Sequence, residues 1–348
     1  MAARDRVIAA RLLAWYGSGH RDLPWRRTCD PYRIWVSEVM LQQTRAQTAI
    51  PYYERFLARF PTVERLAGAA ESELLALWSG LGYYQRARNL KRAAQAMVAA
   101  GGFPREYHAI RALPGVGDYT AAAIASIAFG LPHAVVDGNV LRVVARVEND
   151  AADIASAHTR ARFRAVAQGW LDGARPGAFN QALMELGATV CLPRNPLCPR
   201  CPLTAVCKAR QAGAEGQLPV KLRAREPVRI EATLLLVRRG GKVLLHRRPG
   251  GAGRMAGFWE LPAPEDLPLA QVGKCRGQFR HSITHYRYAF RVLLASARSP
   301  GCGFAWFPTE RLGEIPLSTT ARKALHLRPA GAAPAPARIA PETRARRV

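Results

Sequence analysis

No stretch of this chain is apolar for long enough to cross a bilayer, which argues against a helical membrane protein. The start, MAARDRVIAARLLAWY, also lacks the uninterrupted hydrophobic segment of a secretory signal. It alternates charge with apolar residues at helical spacing, so it reads as a helix of the mature fold in a cytoplasmic protein. Acidic residues are scarce: 25 Asp and Glu face 51 Lys and Arg over 348 residues, a formal net charge of +26. The excess is spread along the chain and no strongly amphipathic basic helix stands out, so nucleic acid is a better partner for it than a membrane surface. Cysteine is rare outside one place. Four of seven lie between Cys191 and Cys207, a crowding that suggests a metal site more than disulfides in a reducing compartment; Cys29, Cys275 and Cys302 are left for structural roles.

Alternating strand patterns are missing from about Val7 to Thr189, where Ala, Leu and Arg recur at periods of three to four. An all-α region is expected over 1–211. Pro and Gly punctuate it at Asp30-Pro31, Phe60-Pro61 and Gly101-Gly102-Phe103-Pro104. The polar, basic stretch 212–227 reads as a linker. The periodicity then changes. RIEATLLLVRRGGKVLLHRR predicts two strands joined at a Gly-Gly turn, and SITHYRYAFRVLLAS alternates further, which places a smaller α+β domain over 228–325. The Ala/Pro/Arg-rich remainder, 326–348, is too poor in large apolar residues to pack and is expected to be a disordered basic tail.

Three motifs carry chemistry. In LPGVGDYTA, Gly115, Val116 and Gly117 form a tight turn at the start of a helix, where outward backbone N–H groups attract a phosphate. With a helix before and after it, the turn looks like a helix-hairpin-helix, a sequence-independent clamp on DNA backbone. Cys191, Cys198, Cys201 and Cys207 stand as C-x6-C-x2-C-x5-C. Structural zinc favours two close pairs and only one is present, so the compact, uneven spacing fits an iron–sulfur cubane better than zinc, with disulfides third. Finally, Glu38 lies in IWVSEVMLQQT among Ile34, Val36, Val39 and Leu41, a desolvating setting that holds a proton as a general acid must. Asp137, before Gly138-Asn139, reads most simply as a helix N-cap. Two carboxyl groups in unlike environments are nevertheless what breaking a glycosidic bond requires.

Taken together, SEVMLQQTR, GLGYYQRARNL, LPGVGDYTA, VDGNV, ALMELGATVC and the four-cysteine loop resemble the MutY-type adenine DNA glycosylases, within the helix-hairpin-helix superfamily that includes endonuclease III. The resemblance covers residues 5 to 210, with a looser match from 228 to 325. It implies a six-helix barrel over about 28–135. A second module follows, built from the N-terminal helix, 136–190 and the loop 191–207, which carries a [4Fe-4S] cluster. An adenine is flipped into a pocket between the two modules. Glu38 matches the acid that protonates adenine at N7, and Asp137 the carboxylate that stabilises the cationic sugar. Tyr119 and Asn139 match groups that support the site. Trp25, Arg26 and Glu185 correspond to the adenine pocket, while Gln43, Thr44 and Tyr83 match residues that contact or wedge beside the opposing 8-oxoguanine.

Where bifunctional relatives place a lysine that forms a Schiff base, this chain has Tyr119, so the resemblance implies a monofunctional glycosylase. Some members carry a lysine where this chain has Leu141, which puts any weak lyase behaviour in doubt. The C-terminal region resembles a Nudix fold, yet GFWELPAPEDLPLA lacks the Arg and Glu run that holds a catalytic metal. The family uses this domain to recognise 8-oxoguanine, here through Thr284 and His285. The expected partner is duplex DNA with A:8-oxoguanine or A:G mismatches, bound by a monomer. The alternatives are a mismatch thymine or uracil glycosylase on the same scaffold, a non-catalytic DNA-binding module, and a Nudix hydrolase with a DNA-binding appendage.

Overall fold

The computed structural model describes residues 2–222, 226–249, 255–297 and 301–327. Residues 223–225 of the expected linker and 328–348 of the expected tail lie outside the described residues. The chain divides into two compact units, Met1–Arg225 and Glu226–Val348. Among the described residues no helix is long and apolar enough to cross a membrane.

The first unit is helical: α1 (Ala3–Ser18), α2 (Pro31–Leu41), α3 (Ala46–Arg59), α4 (Val63–Ala67), α5 (Glu71–Trp78), α6 (Gln85–Ala99), α7 (Tyr107–Arg111), α8 (Asp118–Phe129), α9 (Gly138–Glu148), α10 (Ala157–Trp170), α11 (Pro176–Thr189) and α12 (Lys208–Gln211). Local chemistry sets the starts that matter. Asp30 caps α2 by accepting the Tyr32 N–H at 2.8 Å, with Pro31 supplying the fixed φ of a first helical residue. Asp137 caps α9 by accepting the Val140 N–H at 2.7 Å. Helix α8 is rich in alanine and fully buried over Thr120–Ser126. Small residues let backbones approach: a Cβ on Gly177 of α11 would meet Ser126 O at 2.8 Å, and one on Gly187 would meet Asn139 Cβ at 2.7 Å. Helix α11 is therefore pressed against both α8 and the first turn of α9. Ile8 and Leu12 of α1 share one core with α9, α10 and α11, so the N-terminal helix closes onto elements that follow it by more than a hundred residues.

The second unit is built on β1 (Val228–Arg239), β2 (Lys242–Arg247), β3 (Trp259–Glu260), β4 (Gln271–Ile283), β5 (Tyr286–Ser296) and β6 (Phe304–Pro308), followed by α13 (Thr319–Leu325). The sheet order is β3-β2-β1-β5-β4, with β6 on β2. β1 and β2 meet at Gly240-Gly241, β1 runs parallel to β5, and β4 returns antiparallel to β5 through Thr284-His285. Leu234, Leu236, Phe290 and Val292 turn one face toward Ala321 and Ala324 of α13. The opposite face carries a smaller cluster of Leu235, Val237, Leu244 and Leu267.

Candidate active site

Helix α2 delivers Glu38 to the wall of a cleft of about 1270 Å³ and buries it to 4 % exposure. Its apolar neighbours on the helix, Ile34, Val36 and Val39, are buried with it. Helix α8 brings Tyr119 to the same place, where the phenol donates to Glu38 Oε2 at 2.7 Å and touches Met184 Sδ at 3.2 Å. Burial raises the Glu38 carboxyl from 4.5 to about 7; the Tyr119 hydrogen bond opposes this, and the charge of Asp137 adds to it. The Glu38 carboxyl thereby exchanges a proton close to neutral pH, which an ordinary carboxyl does not.

Asp137 lines the cleft from the start of α9. Burial raises its carboxyl too, but the Val140 and Asn139 backbone N–H groups, the Asn139 side chain and the Arg142 charge all favour the anion. Asn139 Nδ2 donates to Asp137 Oδ2 at 3.0 Å. Arg142 in turn donates to Asn139 Oδ1 at 2.9 Å, to Gly187 O at 2.7 Å and to Cys191 O at 2.8 Å. Asp137 thus both caps α9 and lines the cleft. The two acids differ in kind: Glu38 has one hydrogen-bond donor and apolar walls, Asp137 a set of donors aimed at its charge.

Trp25 and Arg26 line the cleft, whereas Glu185 does not. Glu185 stands behind them, 2 % exposed, accepting from Arg21 Nη2 at 2.6 Å and Arg26 Nη2 at 2.8 Å. Burial alone would raise its carboxyl, but the Arg21 and Arg26 hydrogen bonds outweigh burial and hold it down at about 2. Gln43 and Thr44 lie along the rim. Tyr83 is outside the lining, 46 % exposed on the Gly82–Tyr84 turn. Both Gln43 and Tyr83 adopt positive φ, 57° and 49°, a backbone state that non-glycine residues take only when the surroundings impose it.

The segments on either side of both residues are held together by Arg86, which sequence reasoning passed over. Its guanidinium donates to the carbonyls of Val39, Met40, Gln42, Leu81 and Gly82 at 2.6 to 3.2 Å and packs against the rings of Trp78 and Tyr83. One buried cation thereby fastens the end of α2 to the turn that presents Tyr83. Burial lowers its pKa to about 10, so it remains charged at neutral pH. An arginine in the amphipathic pattern of α6 gives no sequence signal of this role, since such residues usually face water.

Away from the cleft, Gly115 takes φ 77° in the turn between α7 and α8, with Asn89 so close that any Cβ would collide with it. The first turn of α8 is braced by Asp118, which pairs with Arg111 and with Arg164. Cys191, Cys198, Cys201 and Cys207 line one cavity with Arg146. Arg146 donates to Cys191 Sγ at 3.3 Å and to Leu192 O at 2.7 Å. Burial, together with the neighbouring thiols, pushes Cys201 up to about 12 and raises Cys198 and Cys207 as well. Such crowded thiols repel one another as anions, so the donor set fits a cationic group that would hold all four. No three His, Cys, Asp or Glu side chains among the described residues close on a single-ion site; the cysteines share a cavity rather than a point. The remaining cysteines, Cys29, Cys275 and Cys302, are exposed. In the second unit Thr284 is exposed at φ 54° on the β4–β5 turn, with His285 beside it against Tyr286.

Residues 36–168 match the HhH-GPD superfamily of base excision DNA repair proteins, and residues 232–327 match the NUDIX domain. The adenine DNA glycosylase of Homo sapiens is 35 % identical over 92 % of this chain and 74 % of its own length. That of Rattus norvegicus is 40 % identical over 87 % of this chain and 66 % of its own. Among solved structures, a thermostable thymine-DNA glycosylase superposes with TM-score 0.54 at 30 % identity, covering 60 % of this chain and 97 % of that one. A non-covalent endonuclease III–DNA complex gives 0.52 at 21 % identity, over 61 % of this chain and 99 % of that one, a likeness of fold. The extent of these matches shows that the chain, whose cleft brings together the buried Glu38 and Asp137 carboxyl groups, belongs to the adenine DNA glycosylase family.

Proposed function

We propose that this chain excises adenine paired with 8-oxoguanine or guanine, by hydrolysis of the N-glycosidic bond and without strand cleavage. The observation that carries this reading is the buried Glu38 carboxyl, hydrogen-bonded by Tyr119 and raised to about 7, in one cleft with Asp137. An adenine flipped out of the duplex enters past Trp25 and Arg26. Glu38 gives its proton to N7, so the base leaves as a neutral molecule as the bond to C1′ breaks. Asp137, whose donors favour its anionic form, stabilises the positive charge that develops on the sugar. Water then adds to C1′ and its proton returns to Glu38, which leaves an abasic site. Tyr119 bears a phenol and no amine, so the sugar forms no Schiff base and the strand stays intact.

Gly115, Val116 and Gly117 bind a phosphate of the backbone, Gln43, Thr44 and Tyr83 occupy the gap and the opposing base, and Thr284 with His285 contacts the 8-oxoguanine. Cys191, Cys198, Cys201 and Cys207 would hold a [4Fe-4S] cluster, whose role would be to order this loop, leaving excision to the carboxyl groups. Duplexes with adenine, thymine or uracil opposite guanine and 8-oxoguanine, treated with the protein and then alkali, test the reading. Cleavage at adenine alone is expected. Cleavage at thymine or uracil overturns it in favour of a mismatch pyrimidine glycosylase.

A further inference from the structure

Among the described residues, the face of the second unit's sheet opposite α13 is only half covered. At one end Leu235, Val237, Leu293 and Ala295 pack beneath Leu267. At the other end, next to the Thr284-His285 turn, the same side of β1, β5 and β4 is exposed and carries Arg229, Arg287, Arg291 and Arg280. Register fixes this grouping. Arg229 is paired with Arg287 across the parallel β1–β5 ladder, Arg280 pairs with Ala289, and Arg291 pairs with Gln278, so alternation sends all four to one face.

Two like charges directly opposite each other across a ladder are unfavourable unless something neutralises them. Among the described residues none of these four guanidinium groups forms an ion pair; Arg287 donates to Ser282 Oγ at 2.6 Å, and Glu231, the one acid on this half-face, pairs with none of them. Four positive charges and one negative leave the patch strongly cationic. From Arg287 to Arg291 is four residues of strand, about 14 Å, the rise of about four phosphates on one DNA strand. Charges spread over such a length along one sheet face suit a linear polyanion rather than a single small anion. Arginine forks also match phosphate oxygens better than lysines do.

We propose that this half-face seats a stretch of DNA phosphate backbone, a sequence-independent contact distinct from the expected lesion contact at Thr284 and His285. The inference rests on the reading of the chain as a DNA enzyme but not on which base it removes. Arginines placed here strengthen the hold on any duplex and make it more sensitive to salt.

The test uses the full chain and an undamaged duplex, with Kd measured by fluorescence anisotropy over a KCl series. The variant R229Q/R280Q/R287Q/R291Q is expected to flatten the slope of log Kd against log salt by about 2 to 3, at about 0.9 for each phosphate that is no longer neutralised. The corresponding four-lysine variant, which keeps the charge, is expected to stay near the wild-type slope. A glutamine variant with the wild-type slope overturns the proposal, whether or not its affinity falls, and leaves the patch to an acidic protein or an anionic lipid surface. A flattened slope in the lysine variant as well also overturns it, because the arginines would then act through the fold. Adenine excision by the unsubstituted chain is read in separate reactions, so failure of the proposed base specificity is distinguishable from failure of this phosphate seat.

Discussion

The Tyr119 phenol donates to Glu38 Oε2 at 2.7 Å, so the one hydrogen bond to the acid favours its ionised form while burial favours its protonated form. Burial prevails. Replacing Tyr119 by phenylalanine removes the opposing bond and lets the carboxyl rise further. A charge-assisted hydrogen bond is worth about 1.5 to 3 kcal/mol, so the alkaline limb of the single-turnover pH profile should move up by roughly one to two pH units. A Tyr119→Phe profile that overlays the wild type would detach the limb from Glu38.

A proton held by Glu38 also links stability to pH. The folded pKa of about 7 exceeds the ordinary 4.5, so the native state binds more protons than the unfolded one between those values. The stability is fully present below about 4.5 and is lost as pH rises through about 7. Over that window the loss is about 3 kcal/mol, at about 1.4 kcal/mol per pH unit. Glu38→Gln lacks this loss. Urea denaturation of both proteins at acid and at mildly alkaline pH should therefore show the variant gaining on the wild type as pH rises; a constant difference would place the carboxyl outside the buried cleft.

Arg86 satisfies five carbonyls with one guanidinium. Arg86→Ala strands those acceptors in the interior, and a loss on the order of 3 kcal/mol is expected in thermal or urea unfolding. Arg86→Lys keeps a charge but cannot fork to both segments. Its expected signature is weaker binding of mispaired duplex together with a smaller stability loss, because Gln43 and Tyr83 lose their common anchor. A lysine variant with wild-type affinity would show that the two turns hold themselves.

Gly187 lets α11 lie against the first turn of α9, where an added Cβ would meet Asn139 Cβ at 2.7 Å and its carbonyl at 3.3 Å. Gly187→Ala should push Asn139 away and with it the donor that orients Asp137. Single-turnover excision is expected to fall by about tenfold or more, for a displacement of order 1 Å at a catalytic group, with a modest drop in melting temperature. Unchanged excision would mean that Asp137 is positioned by the Val140 N–H alone.

Much of the helical unit was legible because its apolar period is regular and its starts carry Asp-Pro, Thr and Asp caps. The environment of Glu38 was legible for the same reason: Ile34, Val36 and Val39 surround it within one helix, and local sequence suffices to desolvate it. Arg21 and Arg86 were not legible. Their roles depend on partners far along the chain, Glu185 for one and the end of α2 for the other, and arginine in a helical or loop pattern normally faces water. Glu185 was assigned to the pocket on resemblance, yet its position behind Arg26 follows from the packing of α11. The half-covered sheet face was hidden as well, since only strand register tells which arginines share a side.

The most direct test is the single-turnover rate of adenine excision from an A:8-oxoguanine duplex, followed from acid to alkaline pH at saturating protein, for wild type and Glu38→Gln. The expected result is a wild-type rate that falls as pH rises through about 7 and a variant that binds the duplex but does not cut it at any pH. A wild-type rate that stays flat through the alkaline range, or a variant that excises adenine at the wild-type rate, would contradict the assignment of Glu38 as the acid.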